Sequence, residues 1–447
     1  MLIGIGASIY SGNRYDAAIT SANLAARFDA ALGITSSGGF ASAWADQSGN
    51  GRNLLQAAGA NQPIHLPFVG TKYGYLPGVA GNYFSTPDSV AASIVGSIDI
   101  DVEAAMVDWT PAAIQTLLGK DTTAGNNRSY LIYVNTNGTL EFGYTNNGSS
   151  FVGRVATSSV APTVANGAIL WVRVTYNSTT GKVNFYTSAD GESWTALGTE
   201  QTITSGAIYD GTGIVEIGSN GGTGTSNVLA GKIYRTRIYN GIRESGGTLA
   251  VDFDASRHAG GTTLSGSTGE TWTINSTGSN PAQIVDRPSL LFDGAAHWMR
   301  SGAFTLDQPT TIYAALKPLS FTSGDRIIDG IGVNTGRINQ NTATPQLDIY
   351  AGSTGVLFNG PAIGTLGIVT AKFNDASSSA RYNLNSAVTG TAGASSMGGV
   401  TIGADGTASP ATFANVQAYG LLVYSTLHNA ATETNIIRAL MSKWSVT

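Results

Sequence analysis

The phrase Leu24-Ala-Ala-Arg-Phe-Asp-Ala30 returns as Leu249-Ala-Val-Asp-Phe-Asp-Ala255, and this repeat constrains the 447-residue chain more than any other feature. Two copies of one unit are implied. In the first copy the phrase leads to Trp44-Ala-Asp-Gln-Ser-Gly-Asn-Gly51, where turn-forming residues crowd between an indole and the apolar pair Leu54-Leu55. The spacing predicts a capped turn entering a strand. Further matches place Asn53–Asn61 against Trp272–Asn280, Leu290-Leu-Phe-Asp-Gly294 against Tyr73–Gly78, and Thr310–Leu316 against the strand from Ile98. The expected division is an arm over residues 1–20, one sandwich over 21–244 and a second over 245–447.

Only 11% of residues are charged while glycine reaches 58, against roughly 25% charged in ordinary globular chains. That mixture suits short strands joined by turns. The net charge is -5 and no Lys/Arg run occurs, so nucleic-acid binding through phosphate neutralisation is excluded as a function class. With no cysteine, disulfides, thiolate-ligated zinc and thiol nucleophiles are excluded too. The four histidines, His65, His258, His297 and His428, have no metal-ligand spacing. No run approaches the ~20 apolar residues of a membrane-spanning helix, and the N-terminus lacks the basic region of a signal peptide.

Along the chain, period-two alternation and turn signals recur. Ile98-Asp-Ile-Asp-Val-Glu-Ala104 alternates apolar with acidic residues. Asn137-Gly138 and Asn147-Gly148 signal two hairpins, the first between Tyr130–Val134 and Leu140–Tyr144. Leu170–Tyr176, Val183–Thr187, Ile214–Gly218 and Gly231–Tyr239 complete the first copy. The second ends differently, with Ile436, Ile437, Leu440, Met441 and Trp444 on one face of a helix predicted over Thr432–Trp444. Residues 1–20, apolar at Leu2, Ile3, Ile5 and Ile9, read as an extended arm that adds to a partner or as a frayed end.

Trp44-x-Asp-x-Ser-Gly-Asn-Gly51 followed by Asn53-Leu54 and Asn61-Gln-Pro63, with the closing strand at Gly231-Lys-Ile233, resembles the concanavalin A-like, LamG-type jelly-roll domains of tailed-bacteriophage virion proteins. Asp108-Trp-Thr-Pro111, Asn127-Arg-Ser-Tyr130 and Phe185–Trp194 are similar to runs in phage minor tail and fibre proteins. The resemblance implies an all-β fold of two tandem antiparallel jelly-roll sandwiches with a short arm and a C-terminal helix. It also implies a structural protein on the outer surface of a virion head or tail, a minor tail, fibre or capsid decoration protein that oligomerises within the particle. Its arm would hold other virion proteins and its sandwiches would adhere to host surface glycans. A free carbohydrate-binding lectin is the non-virion alternative.

Three features could carry chemistry. Asp99, Asp101 and Glu103 occupy alternate positions of one strand, as the nucleophile, helper and acid of a jelly-roll glycoside hydrolase or depolymerase do, although that family has Glu where Asp99 stands. The competing reading is a solvated acidic face opposite Ile98, Ile100 and Val102. Ser188-Ala-Asp-Gly-Glu-Ser-Trp194 is similar to the Asp-box hairpin of sialidases, with Asp190-Gly191 as the turn and Trp194 packed beneath it. Asp46 and Asn50 are candidate calcium ligands, or else Asp46 caps backbone N–H groups of its own turn. The expectation is no enzyme and no cofactor, with calcium at Asp46 and Asn50 as the candidate metal.

Overall fold

In a computed structural model, residues 17–332, 335–342 and 344–446 are described. The docking role expected of residues 1–20 therefore falls mostly outside the described residues. The fold is all-β, made of antiparallel jelly-roll sandwiches with a C-terminal helix.

The chain divides into two compact units, but not at residue 244. Among the described residues, one unit is Val69–Asp286, and the other joins residues 17–68 to those from Arg287 onward. The segment expected to separate the copies, Asn240 to Thr248, is instead the turn of a hairpin inside the first of these, where strand Ala230–Asn240 pairs with Thr248–Asp254. Each copy's opening segment thus completes the body of the other copy. The hairpin supplies a physical reason: its short connection closes at low chain entropy, and because closure cost grows only as the logarithm of length, the long closure that pairs Leu24–Asp29 with Asn415–Tyr424 adds little.

In the Val69–Asp286 unit one layer runs Lys182–Ser188, Leu170–Tyr176, Ile98–Met106, Ala230–Asn240. The last of these is long enough to pair Tyr73–Pro77 along its first half and Thr248–Asp254 along its second. The facing layer runs Val155–Thr157, Leu140–Tyr144, Asn127–Val134, Gln115–Thr122, Val215–Ile217, Tyr83–Thr86, Thr271–Asn275, Thr263–Ser265. Between them lie Ile98, Ile100, Val102, Phe84, Phe253 and Trp272. Ring centroids are 5.0 Å apart for Phe84–Phe253 and 5.4 Å for Phe253–Trp272. The Asn137-Gly138 hairpin forms as predicted, with Gly138 at φ 81°. The hairpin signalled by Asn147-Gly148 forms too, with a longer loop between Leu140–Tyr144 and Val155–Thr157. There Gly148 (φ 79°) runs so close to Asn126 that a Cβ would sit 1.9 Å from its carbonyl oxygen.

The other unit repeats this plan. Thr310–Pro318 is flanked by Gly367–Phe373 and Asn415–Tyr424, and Asn415–Tyr424 pairs Ser289–Asp293 along its first half and Leu24–Asp29 along its second. Phe28 and Trp44, with centroids 5.6 Å apart, fill the core place that Phe253 and Trp272 fill in the first unit.

One face of Thr310–Pro318 is apolar, with Tyr313 and Ala315, and the C-terminal helix Ala430–Trp444 covers it. The helix begins two residues before the periodicity predicts because Asn429 caps it, its Oδ1 accepting from the Thr432 N–H at 2.9 Å. Ile436, Ile437, Leu440 and Trp444 are buried, and charge pairs hold both ends, Glu433 with Lys372 and Arg381 and Lys443 with Asp29. Trp444 packs on Tyr419 at 5.8 Å and closes against Gly420. Trp444→Ala is expected to lower stability by about 3 to 5 kcal/mol, as truncating a buried indole does. Urea unfolding checks this, and an unchanged midpoint would mean that the helix contributes nothing to this unit.

Candidate functional site

The alternation of Ile98–Met106 turns Ile98, Ile100 and Val102 into the core and Asp99, Asp101 and Glu103 onto the opposite face of the sheet. That face is not solvated, contrary to the competing reading of the sequence. Asp99 and Asp101 are fully buried, and only Glu103 keeps partial exposure. The cause lies on the neighbouring strands. In register, Arg173 stands opposite Asp101 on one side and Arg237 on the other, while Trp171 and Arg235 flank Glu103. Leu170–Tyr176 and Ala230–Asn240 alternate in the same phase, so their cations reach the same surface as the carboxylates.

Arg173 grips Asp99 with a fork, Nε donating to Oδ1 at 2.8 Å and Nη2 to Oδ2 at 2.6 Å. Its outer edge holds Glu244 in the same way, at 2.7 and 2.6 Å. Arg243, in the turn that leads to the next strand, donates its backbone N–H and Nε to Asp99 Oδ2 and lies 2.8 Å from Asp101 Oδ2. Arg237 Nε donates to Asp101 Oδ1 at 2.8 Å. Burial pushes Asp101 up to about 6 against the pull of Arg237 and Arg243. Burial also works to lower the Arg173 guanidinium, but Asp99 and Glu244 overcome it and hold the group above its usual range. Burial raises Glu103, helped by Asp254 and opposed by Arg235 and Arg237.

Aromatic rings roof this network. Arg173 and Arg243 each lie 5.4 Å from the Trp194 ring, Arg237 lies 4.7 Å from Trp171, and Arg243 lies 4.5 Å from Tyr239. Trp194 therefore covers guanidinium groups rather than supporting the Asp190-Gly191 turn. The indole under that turn is Trp171, against which a Cβ on Gly191 would come to 2.7 Å. Asp190 instead organises the turn, accepting from the Glu192 and Ser193 N–H groups at 2.9 and 2.7 Å, and these hydrogen bonds hold its carboxyl well below the usual range. Sequence reasoning missed the arginines. Their signal was the shared period-two phase of Trp171-Val-Arg-Val-Thr175 and Arg235-Thr-Arg-Ile-Tyr239 with the acidic strand, which needs the strand order to be read.

Asp46 and Asn50 lie in the other unit. Asp46 Oδ1 accepts from the N–H groups of Arg27 and Ser48 at 2.9 and 2.8 Å, and Oδ2 from Ser48 Oγ and the Arg52 N–H at 2.8 and 3.0 Å. Asn50 points its amide nitrogen at the Leu24 and Ala25 carbonyls. This is the capped turn, with both carboxylate oxygens engaged by donors. Among the described residues no cluster of three or more His, Asp or Glu groups suited to a metal occurs. The histidines are dispersed as well, His428 against Tyr313 at 2.8 Å and His65 against Ser36 at 2.9 Å.

No protein-family model and no curated protein matches the sequence. Among solved structures, a Bacteroides ovatus ATCC 8483 protein thought to bind carbohydrate is similar at 15% identity and a TM-score of 0.35, over 50% of this chain and 62% of that one. The CBM40 module of the Ruminococcus gnavus IT-sialidase, solved with α2,3 sialyllactose, matches at 18% identity and 0.29, over 38% of this chain and 90% of the module. Domains LG4-5 of the mouse laminin α1 chain match at 9% identity and 0.29, over 79% of this chain and 89% of theirs. At these scores and identities the likenesses assign no ligand and no activity to this chain, and the sandwich architecture rests on the strand pairing itself.

Proposed function

We propose that this chain is a non-catalytic structural protein of a tailed-phage virion, displayed on the outer surface of head or tail, whose lectin-like sandwiches meet host surface glycans. The virion assignment rests on the resemblance of Trp44–Pro63 and Phe185–Trp194 to phage tail and fibre domains. The single observation that favours display over hydrolysis is the engagement of Asp99. Both its oxygens are taken by Arg173 and Arg243, which suits a fixed structural anion and not a nucleophile that must approach a sugar carbon. Asp101 is held by a hydrogen bond from Arg237 to Oδ1 and by the charge of Arg243 beside Oδ2, which leaves Glu103 without the second carboxylate that glycoside hydrolysis requires.

The test is mass spectrometry of purified particles together with a reducing-sugar assay on bacterial polysaccharides. The chain should appear in washed particles, and the purified protein should release no sugar. Release that disappears in Asp99→Asn or Glu103→Gln would establish the hydrolase. Glycan binding by a chain never found in particles would establish the free lectin.

A further inference from the structure

Strand Gln115–Thr122 carries Lys120 on the same side as Leu118, facing the interior at one end of the Val69–Asp286 sandwich. A lysine in this place is unusual, since the ammonium group is costly to bury unless it is paired. Its side chain is 0% exposed, whereas Lys182, Lys372 and Lys443, also in ion pairs, keep 54%, 16% and 19% exposed. Lys120 Nζ lies 2.7 Å from Asp88 Oδ1, donates to Ser93 Oγ at 3.3 Å, and has Asp210 Oδ1 at 3.8 Å. Asp88 Oδ1 is itself shut off from solvent and takes no conventional hydrogen bond, so the ammonium is what it faces. Tyr130, fully buried, stands opposite Lys120 on the next strand and fixes the wall by donating to the Ala92 carbonyl at 3.2 Å.

A fully buried amine thus lies against a carboxyl group whose near oxygen is shut off from solvent, with a second, more exposed carboxyl group beside them. We propose that Lys120 and Asp88 join in an intramolecular amide bond, with Asp210 carrying the proton. Transfer of one proton within the ion pair gives a neutral amine and a carboxylic acid. The Nζ lone pair attacks Asp88 Cγ, and a C–N bond forms. Asp210 takes a proton from Nζ and returns it to the departing hydroxyl of Asp88. The C–O bond breaks and one water leaves through the side on which Asp88 and Asp210 are exposed, by 29% and 56%. Ammonium and carboxylate become amide and water, nothing is oxidised or reduced, and no co-reactant is needed. Fixing the partners against each other can be worth an effective molarity of about 10⁵ M or more, and burial favours the uncharged product over the charged pair. The bond would tie the loop between strands Tyr83–Thr86 and Ile98–Met106, which passes from one layer to the other, to strand Gln115–Thr122.

Intact-mass measurement of the purified full-length chain should give a value below the sequence mass by one water. Fragmentation of a protease digest should place the loss in a branched peptide joining Asp88 to Lys120. Dehydration to a succinimide at Asp190-Gly191 would remove the same mass without a branch, so the branch is the deciding observation. Asp210→Asn leaves Lys120 and Asp88 in place and removes the proton carrier. It should slow bond formation by about 10²- to 10⁴-fold, the usual contribution of an acid–base group, and freshly made protein should then carry the full sequence mass with an unchanged circular dichroism spectrum. Wild-type protein at the full sequence mass, or a water loss located elsewhere, would overturn the proposal. A branched peptide formed equally well in Asp210→Asn would remove Asp210 from the step.

Discussion

A fragment of residues 69–286 is expected to fold alone with a cooperative thermal transition, and a fragment of residues 21–244 is expected not to. The first carries every strand of its sandwich, from Tyr73–Pro77 to Gln283–Val285. The second lacks Thr248–Asp254, Thr263–Ser265, Thr271–Asn275 and Gln283–Val285, and with them the buried rings of Phe253 and Trp272. Losing either ring alone would cost about 3 to 5 kcal/mol, and a domain has only about 5 to 15 kcal/mol in all. Phe28 and Trp44, present in residues 21–244, do not replace them, because the strand of Phe28, Leu24–Asp29, brings Arg27 to the position of Asp252 in the repeated phrase. Asp252 stands opposite Arg237 and pairs with Arg235 at 3.1 Å. Arg27 there would meet both cations, and like charges across a strand pair are destabilising. Near-ultraviolet circular dichroism and calorimetry of the two fragments decide the matter. A sharp transition in residues 21–244, with a midpoint matching that of residues 69–286, would show that the opening segments are interchangeable.

Arg173→Ala should destabilise the Val69–Asp286 unit by about 3 to 5 kcal/mol, the usual result of removing one partner from a buried ion pair. Arg173 is nearly fully buried, and its fork engages both oxygens of Asp99, whereas Arg243 reaches only Oδ2. Arg173→Lys should recover only part of the loss, since an ammonium cannot span both oxygens of Asp99 and both of Glu244. Replacing the pair together, Asp99→Leu with Arg173→Met, should cost less than Arg173→Ala, because the buried carboxylate leaves with its guanidinium fork, Arg243 keeps Asp101, and Glu244 is exposed enough to be solvated. Urea midpoints of the three variants test this. A loss under about 1 kcal/mol in Arg173→Ala would place the pair in the weak class of exposed ion pairs, and the account of a sealed network would fail.

The strands were legible because period two is a local property. Ile98–Met106 and Leu170–Tyr176 each announce a buried face in their own residues. The C-terminal helix was legible for the same reason, through Ile436, Ile437, Leu440 and Trp444, and Asn137-Gly138 fixed its hairpin through the positive φ that glycine accepts. The acidic strand was legible as a pattern and misread as an environment. Whether Asp99 and Asp101 meet water or guanidinium depends on which strands lie alongside, and Arg173 and Arg237 are 74 and 136 residues distant from their partners.

By itself the sequence determined an all-β chain of two related jelly-roll units, a terminal helix with one apolar face, and the capped turn at Asp46. Only the tertiary structure decided which opening segment completes which body. The repeated phrase is nearly the same in both copies, so either strand offers the backbone hydrogen bonds and the Phe-Asp pair that the gap requires. The phrases differ at Ala26 against Val251 and, with a reversal of charge, at Arg27 against Asp252, and the meaning of that reversal appears only once Arg235 and Arg237 are beside it. The short Asn240–Thr248 turn then settles the exchange, because a hairpin closes at little entropic cost.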